Sequence, residues 1–385
     1  MIELLLLSRF FVDYAWSIKA ANVVHTALVI ALALFFFYRN IARHPKLKAA
    51  DLLVLLFAIY VCFAYYINRS DRAIFDLAKL FPCVAYYIIG RYYSRIPELK
   101  LISRTSILAI AGIFLLAVLG VGYIYWGDIS TFTAGYYFKT DVALGTIIFA
   151  SFAMLATRRT FVHLVILIAS SYIVFKANSR IAIPLLAVLP CLLFLSKREL
   201  FAKSTRAIMV TAAFATVSLS IFSLIDFDSM HLLGVDFSNP FSDKNTQGRN
   251  LIWSAVLSYY SSFGFIQKMT GAGLAADIVA ASSFYESDSF VESRAHNSFL
   301  WLLVCFGWIG STIYLAMLAA FLKQAHSLAS VNPRSKVLFI FACLMVIFLF
   351  FSISNEAIVK PQITFPLFLF AGLCCNPSSK LRHRN

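Results

Sequence analysis

The chain has 385 residues, of which 61% are hydrophobic and 13% charged, and its formal net charge is +15. A soluble protein of this length carries about a quarter charged residues, so the composition excludes an ordinary soluble globular domain. The basic balance does not indicate a nucleic-acid partner, because Lys and Arg are concentrated in short segments between long apolar runs.

Long apolar runs follow one another along almost the whole chain. Lipid cannot satisfy backbone N–H and C=O groups, so runs of this kind predict membrane-spanning helices. Residues 2–17 are either an additional span or a helix that lies at the membrane interface. The predicted fold is an all-α polytopic membrane protein, a single membrane domain over residues 1–385 with about 11–12 transmembrane helices. The clear spans are predicted at residues 20–38, 51–67, 73–90, 105–126, 142–157, 161–176, 181–196, 207–225, 297–322, 337–353 and 363–375.

The distribution of Lys and Arg predicts how the spans are oriented. Basic residues cluster in alternate loops, for example YRNIARHPKLK and SKRELFAKSTR. Such residues concentrate in cytoplasmic loops, where they can also contact anionic lipid headgroups, so the other loops are predicted to face outward. The outward loop at residues 226–296 is the longest, with about seventy residues, and long loops on a rigid scaffold usually carry function. We therefore expect much of the functional site in this loop.

His296 ends this loop, directly before the predicted span at 297–322. A neutral imidazole accepts a proton near physiological pH, so the residue is a candidate general base. The alternative is a histidine that only caps the helix at the membrane interface. Judged by position alone, the capping interpretation is the more common one.

Three cations on the outward side suit an anionic ligand. Lys176 and Arg180 flank a short loop between two predicted spans, and Arg249 stands near the start of a predicted surface helix. A guanidinium binds phosphate oxygens in bidentate fashion and helix N-termini favour anions, so diphosphate is a natural ligand. The alternatives are that Lys176 and Arg180 extend to lipid headgroups and that Arg249 is a solvated loop charge.

Acidic pairs in the long loop, at residues 226–228 and 286–288, are the candidates for a divalent metal beside a sugar-phosphate donor. Short acidic pairs are common in loops, so the metal interpretation is weak and the predicted site contains no metal. The sequence also lacks a P-loop, a Rossmann glycine fingerprint and a Gly-x-Ser-x-Gly nucleophile elbow.

The stretch HNSFLWLLVCFGWIG at 296–310 fits a pattern of His, then Asn, Ser or Gln, nine residues, Gly, two residues and Gly. An SR pair at 179–180 between two predicted spans, and a GR followed by IW at 248–253, precede it in that order. With these landmarks in a frame of about twelve spans, the chain resembles the bacterial O-antigen ligase and polymerase superfamily. The resemblance covers roughly residues 140–310.

The resemblance implies a metal-independent, inverting glycosyltransferase without a cofactor, embedded in the bacterial inner membrane with its site facing the periplasm. The donor would be a glycan on undecaprenyl diphosphate, the acceptor lipid A-core or a second lipid-linked repeat, and a chain-length regulator is a further candidate partner. The general base would be His296. The donor diphosphate would be bound by three cations, Arg180, Arg249 and Lys176. Three further residues would support the site: Asn297, Arg294 and Lys139.

The sequence leaves the branch of the superfamily open. Ligase and polymerase share this chemistry and differ in the acceptor, and a third branch glycosylates protein. Family ligases often have arginine, three residues and then leucine, whereas here Arg180 is followed at that spacing by Pro184. This departure slightly favours the polymerase. A different class, a transporter of lipid-linked glycans, would need a polar path, for which Asp76 and Lys79, predicted to pair on one helix face, are the main candidates.

Overall fold

The computed structural model describes residues 1–41, 47–93, 97–126, 129–157, 159–197, 249–282 and 294–376. Within these ranges the chain is helical apart from one two-stranded antiparallel hairpin. Six of the described helices are long and apolar enough to cross a membrane, and three more are apolar but shorter. The predicted all-α polytopic membrane fold is confirmed.

The regular elements are numbered in chain order. The helices of the first half are α1 (Ile2–Tyr14), α2 (Lys19–Asn40), α3 (Ala49–Ile67), α4 (Asp71–Tyr92), α5 (Lys100–Val118), α6 (Lys139–Ala153), α7 (Thr160–Lys176) and α8 (Ile183–Lys197). Those of the second half are α9 (Arg249–Ser261), α10 (Phe265–Thr270), α11 (Ala276–Ser282), α12 (Ser298–Ala329), α13 (Lys336–Ser354) and α14 (Pro361–Cys375). The hairpin strands are β1 (Tyr123–Trp126) and β2 (Ile129–Phe132), and 3-10 turns lie at Arg180–Ala182 and Ala357–Val359.

Most predicted spans coincide with a helix to within a few residues, but the prediction for 105–126 is wrong at its end. Helix α5 stops at Val118, and residues 123–126 form β1 instead. Gly120 and Gly122 separate the two elements with φ of +71° and +88°, a backbone conformation that a helix cannot contain. The segment YIYW that follows is rich in residues that favour strands. The predicted span 207–225 lies outside the described residues.

The helix ends fall into two groups at opposite ends of the bundle. The basic end includes Lys100 at the start of α5 and Lys336 at the start of α13, whose ammonium group lies 3.5 Å from the Glu98 carbonyl oxygen. The site end includes the segment 294–297 before α12 and the loop 355–360 between α13 and α14.

Helix α1 reaches from the basic end to the site end. Glu3 accepts a hydrogen bond of 2.9 Å from the backbone N–H of Ile102, near the start of α5. Beyond the other end of the helix, the Trp16 indole N–H donates to the Gly135 carbonyl at 3.1 Å. These contacts place α1 alongside the bundle, but its 13 residues are fewer than the about 20 that a membrane span needs. Both interpretations of residues 2–17 stay predictions.

Helices α4 and α14 form the tightest contact of the bundle. A Cβ atom at Gly90 of α4 would lie 2.1 Å from the Leu369 carbonyl oxygen, and one at Gly372 of α14 would lie 2.2 Å from the Tyr87 carbonyl oxygen. Small residues let helix backbones approach closely in membranes, where packing rather than the hydrophobic effect drives association. The contact lies near the last turns of both helices, and one to two turns earlier the ring of Tyr86 stacks on that of Phe365. The two helices therefore run in parallel, and the loop before α14 lies toward the site end of α4.

Candidate active site

Helix α12 is interrupted at Gly307, whose φ of 61° and ψ of −166° lie outside the helical region. The break frees carbonyl groups of the preceding turn, and the loop between α10 and α11 takes them up. Ala272 N–H donates to the Val304 carbonyl at 2.8 Å, and Gly273 N–H donates to the Cys305 carbonyl at 3.1 Å. Polar backbone groups freed inside a membrane protein need such partners. The break therefore ties the long loop to α12.

Gly310, the second glycine of the motif, makes room for a tyrosine. A Cβ atom at Gly310 would lie 2.2 Å from the ring of Tyr60, on α3. The Tyr60 hydroxyl lies 2.8 Å from the Phe306 carbonyl oxygen and 2.9 Å from the Thr270 carbonyl oxygen. The Gly-x-x-Gly spacing is thus a packing requirement, since one glycine breaks the helix and the other admits the side chain that clamps the loop.

We expect the substitution Gly307→Ala to destabilise the protein strongly. The backbone conformation at this position is essentially restricted to glycine, which alone costs about 1–3 kcal/mol for another residue. The added Cβ would also lie 2.4 Å from the Gly271 amide nitrogen. Thermal unfolding of the purified protein in detergent measures the effect. The matched control is Gly112→Ala in α5, where nothing lies within 4 Å, and an unfolding temperature equal to wild type for Gly307→Ala would contradict this account.

Arg294 joins two buried carboxylates at the site end. Its Nη1 and Nη2 atoms donate to the two oxygens of Asp76 on α4, at 3.1 and 2.9 Å, and Nη1 lies 3.7 Å from Asp277 on α11. Both aspartates are fully buried. Burial raises the pKa of Asp277 to about 7, although the charge of Arg294 opposes this shift. Burial lowers the pKa of the Arg294 guanidinium, but the two carboxylates outweigh this effect, so that its pKa is raised.

The Arg294 cluster fixes the backbone that carries His296. Asp277 also accepts from the Ala295 N–H at 3.4 Å, so the two residues before His296 are both held by α11. Removing one partner of such a buried ion pair typically costs about 3–5 kcal/mol, because the remaining charge is left uncompensated. The predicted pairing of Lys79 with Asp76 is present at 3.9 Å. Since Asp76 is engaged by Arg294, the pair belongs to this scaffold and does not support a transport path.

His296 itself lies in a tight turn and faces a glutamate from the next loop. Its φ is +48°, in the left-handed region that few residues other than glycine adopt. The backbone N–H of His296 donates to Glu356 Oε1, and its ring nitrogen Nδ1 lies 3.6 Å from the same oxygen. The Glu356 side chain is 7% exposed and the His296 side chain 38% exposed. The imidazole is therefore accessible to a substrate while its partner is buried.

Asn297, and not His296, caps helix α12. The Asn297 side-chain oxygen accepts from the backbone N–H groups of Phe299 at 2.9 Å and Leu300 at 3.1 Å, the usual geometry of an N-cap. Its amide group donates to the Ile353 carbonyl at 2.9 Å. Because the cap is already supplied, the capping interpretation of His296 loses its basis.

Several cations surround the imidazole. Burial is the largest influence on His296 and lowers its pKa, and the charges of Arg249, Lys360 and Arg294 lower it further, whereas Glu356 raises it. Arg249 is the first residue of α9, as predicted for the start of the surface helix. Lys360 pairs with Asp141 on α6 at 2.5 Å. The site thus combines an accessible imidazole, whose pKa is lowered by burial, with cations from three different segments.

The other residues predicted from sequence are placed as follows. Arg180 opens the 3-10 turn between α7 and α8, in the short connection that was expected. Lys176 ends α7 with an exposed side chain, and its ammonium group lies 5.7 Å from the centre of the Tyr172 ring. Lys139 is the first residue of α6, two positions before Asp141. These placements leave their proposed roles as predictions.

Four residues of this cluster were not predicted from the sequence: Glu356, Lys360, Asp141 and Asp277. Glu356 and Lys360 carry a signal that could have found them, because they are charges in a short loop between two apolar runs. Asp277 carries none, since it stands in a loop with several acidic residues. The two acidic pairs that the sequence offered as metal ligands, at 226–228 and 286–288, lie outside the described residues. In the described part of the chain, no group of three His, Cys, Asp or Glu residues is arranged to hold a metal.

An apolar cavity of about 1020 Å³ lies between the site end of α3 and the helices of the long loop. Phe63 and Ile67 of α3 line one side, and Phe265 and Ile266 of α10 line the other. The side chains of Phe265 and Ile266 are each 77% exposed, although large apolar side chains are normally buried. An apolar wall at the end of a transmembrane helix suits lipid rather than water.

Comparison with known families gives a match that covers part of this region. Residues 164–315 match the family model described as O-antigen ligase. The match confirms the resemblance to the O-antigen ligase and polymerase superfamily and indicates a glycosyltransferase of that general type. It includes Arg180, Arg249 and His296 but ends before Glu356. With the apolar helices, it indicates a multi-pass protein of the bacterial inner membrane. A search of curated proteins finds no match to the chain.

Proposed function

From the family match on the segment that carries His296, we propose that this chain is an inverting glycosyltransferase that uses a glycan on undecaprenyl diphosphate as its donor. The observation that supports this most directly is the accessible imidazole of His296, which is held by a buried glutamate and surrounded by cations. A base and an anion-binding group side by side are what transfer from a diphosphate requires.

The proposed reaction has one displacement step. His296 takes the proton of an acceptor hydroxyl, and the acceptor oxygen forms a bond to the anomeric carbon of the donor sugar. The bond from that carbon to the diphosphate oxygen breaks, and its electron pair leaves with undecaprenyl diphosphate. Attack from the face opposite the leaving group inverts the configuration at the anomeric carbon. The proton on the imidazolium then passes to water, which restores the base.

The cations stabilise the leaving group. Negative charge grows on the diphosphate as the glycosidic bond breaks, and fixed positive groups stabilise that charge most where they are already held in place. Arg249 and Arg180 are the proposed ligands, with Lys176 as a further cation at the membrane edge. Arg294 is engaged with Asp76 and Asp277, so we propose that it supports the site by holding the His296 segment.

The site lies at one end of the helices, where the diphosphate of a donor anchored in the membrane by its lipid tail would be within reach. The loops at the basic end are rich in Lys and Arg, so that end is proposed to face the cytoplasm and the site end the periplasm. The undecaprenyl tail then lies in the outer leaflet with its diphosphate at the interface. The apolar cavity beside α3 and α10 supports this arrangement, because it offers lipid a wall next to the loop that carries Arg249.

The acceptor decides the biological role, and the deletion phenotype distinguishes the candidates. In a strain that lacks this chain, a lipopolysaccharide gel is analysed together with the pool of lipid-linked glycan. Lipid A-core with a single repeat unit is expected for a polymerase. Bare lipid A-core, with long polymer retained on undecaprenyl diphosphate, is expected for a ligase. A normal gel and a normal lipid-linked pool would contradict both roles, and an accumulated pool with normal lipopolysaccharide would indicate a protein acceptor.

A further inference from the structure

We infer that Glu356 is the positioning residue of His296, which holds the imidazole with hydrogen on Nδ1 and leaves Nε2 to accept the proton of the acceptor. This inference rests on the proposed function, since it assigns a partner to the same base. Glu356 lies outside the segment that matches the family model.

The contact with Glu356 fixes both the backbone and the ring of His296. One oxygen, Oε1, accepts from the backbone N–H of His296 and lies 3.6 Å from Nδ1. At this distance the ring contact is an ion pair when the imidazole is charged, rather than a full hydrogen bond in the resting site. Catalytic hydrogen bonds are often longer in the free enzyme and shorten when substrate binds. The geometry therefore assigns Nδ1 to the glutamate and Nε2 to the substrate.

The loop that carries Glu356 is tied to the start of α12. The Ser298 hydroxyl donates to the Asn355 carbonyl at 3.1 Å, and the Ser298 Oγ atom accepts from the Ile358 N–H at 3.4 Å. The Asn297 amide donates to the Ile353 carbonyl at 2.9 Å. These bonds connect the residues directly after His296 with the residues on both sides of Glu356. The carboxylate is thereby held against the imidazole by its neighbours in sequence, and not only by its own contact.

The charges around His296 show why a carboxylate is needed there. Arg249 approaches from α9, Arg294 from the segment before α12, and Lys360 from the loop before α14. Each of these cations disfavours the imidazolium that forms when the base takes a proton. Glu356 is the described group that acts in the opposite direction on His296. Without Glu356, the cations proposed to bind the diphosphate would lower the proton affinity of His296 and so weaken the base.

The remaining charged groups near the site are already engaged with one another. Asp141 on α6 pairs with Lys360. Asp76 and Lys79 on α4, and Asp277 on α11, surround Arg294. Their carboxylates partly neutralise the charges of Arg294 and Lys360, and they act on the imidazole only through these cations. Glu356 is therefore the group whose charge we expect the proton affinity of His296 to follow.

The substitution Glu356→Gln removes the negative charge of the side chain but keeps its size and an oxygen that accepts a hydrogen bond. The amide oxygen of glutamine can still accept the His296 N–H, so the turn is retained, while the negative charge is lost. We expect kcat to fall roughly 10–10²-fold with little change in the KM for the donor, because the base is weakened and the donor contacts remain. We also expect the acid limb of the pH profile of kcat to move to lower pH, because the cations then act without opposition. The profile is measured with purified protein in detergent, with lipid-linked donor and acceptor.

A second readout reports on the imidazole without turnover. The rate at which diethyl pyrocarbonate modifies His296 is followed against pH by mass spectrometry, and the midpoint is expected at lower pH in Glu356→Gln than in wild type. The matched control is Glu98→Gln, which removes one negative charge at the basic end and should change neither readout. Glu98 is exposed and pairs with Lys100, far from the site.

The outcomes distinguish this inference from the proposed function. If Glu356→Gln keeps the wild-type rate and pH profile while Glu356→Ala loses folded protein, Glu356 is only structural and the inference is overturned. If both variants are fully active, it is overturned as well. If His296→Ala retains transfer, the proposed function fails whatever Glu356 does. A slow Glu356→Gln with a displaced acid limb, together with an inactive His296→Ala, supports both.

Discussion

His296→Ala is expected to abolish glycan transfer while leaving the fold intact. The side chain supplies the general base, which typically contributes about 10²–10⁴-fold to the rate. The cap of α12 belongs to Asn297 and the contact with Glu356 Oε1 uses the backbone N–H, so both survive the substitution. Transfer is measured with the purified protein in detergent, with donor and acceptor in one solution. Under that condition there are no two sides of a membrane, so activity of the wild type also excludes a pure transporter.

The matched control is His326→Ala. His326 is an exposed residue in the last turn of the same helix, at the basic end. The control variant should transfer glycan at the wild-type rate. Both variants should unfold at the wild-type temperature, which shows that a loss of activity is chemical. An active His296→Ala enzyme with normal pH dependence would remove the general-base role.

Arg249→Lys is expected to impair use of the donor, by about 10–10²-fold in kcat/KM. Lysine keeps the positive charge but loses the planar fork that binds two phosphate oxygens at once. The lost hydrogen bond to a charged group corresponds to about 1.5–3 kcal/mol, and each 1.4 kcal/mol is a factor of ten. Arg249 is placed for this role, because it begins α9 and its charge reaches His296. Steady-state kinetics with varied donor and fixed acceptor measure the effect, and Arg180→Lys is predicted from the sequence to behave alike.

Arg69→Lys serves as the control for the arginine series. Arg69 is exposed and its guanidinium lies 4.3 Å from the centre of the Tyr66 ring. It lies in the short loop between α3 and α4 and not in the His296 cluster, so its replacement by lysine should leave the kinetics of the donor unchanged. If Arg249→Lys is as active as this control, bidentate binding of the diphosphate by Arg249 is wrong.

The membrane helices could be predicted because lipid imposes one condition on every segment that crosses it. A span must be apolar and helical over its whole length, which is a local property of the sequence. The error at residues 105–126 follows from the same reasoning. The run stays apolar beyond Val118, and only the two glycines with positive φ, together with strand-forming residues, end the helix early.

The residues of the site divide along a similar line. His296, Arg180 and Arg249 could be selected because they stand beside long apolar runs and because they belong to sequence landmarks that occur in a recognisable order. Asp277 could not, since its importance depends on what it contacts, and the charge of Glu356 in a short loop does not reveal that its partner is His296. The contact between His296 and Glu356 joins residues 60 positions apart, and the contact between Arg294 and Asp76 joins residues 218 positions apart. No local pattern encodes such a distance.

The role of Arg294 shows the difference most directly. From the sequence, Arg294 was expected to support the site as a cation two residues before His296. In the folded protein its guanidinium lies between two buried carboxylates, one from α4 and one from α11. A buried charge must be paired, and only the packing of the helices decides which partners are within reach.

The amino-acid sequence by itself determined the class of this protein, most of its described spans and the motif that ends at Gly310, because hydrophobicity, charge and spacing are carried by neighbouring residues. The tertiary structure decided why that motif has its glycines, which residue caps α12 and which carboxylate faces His296. These features arise where α3, α4, α12 and the loop before α14 meet, and close contacts between distant segments exist only after the helices have packed.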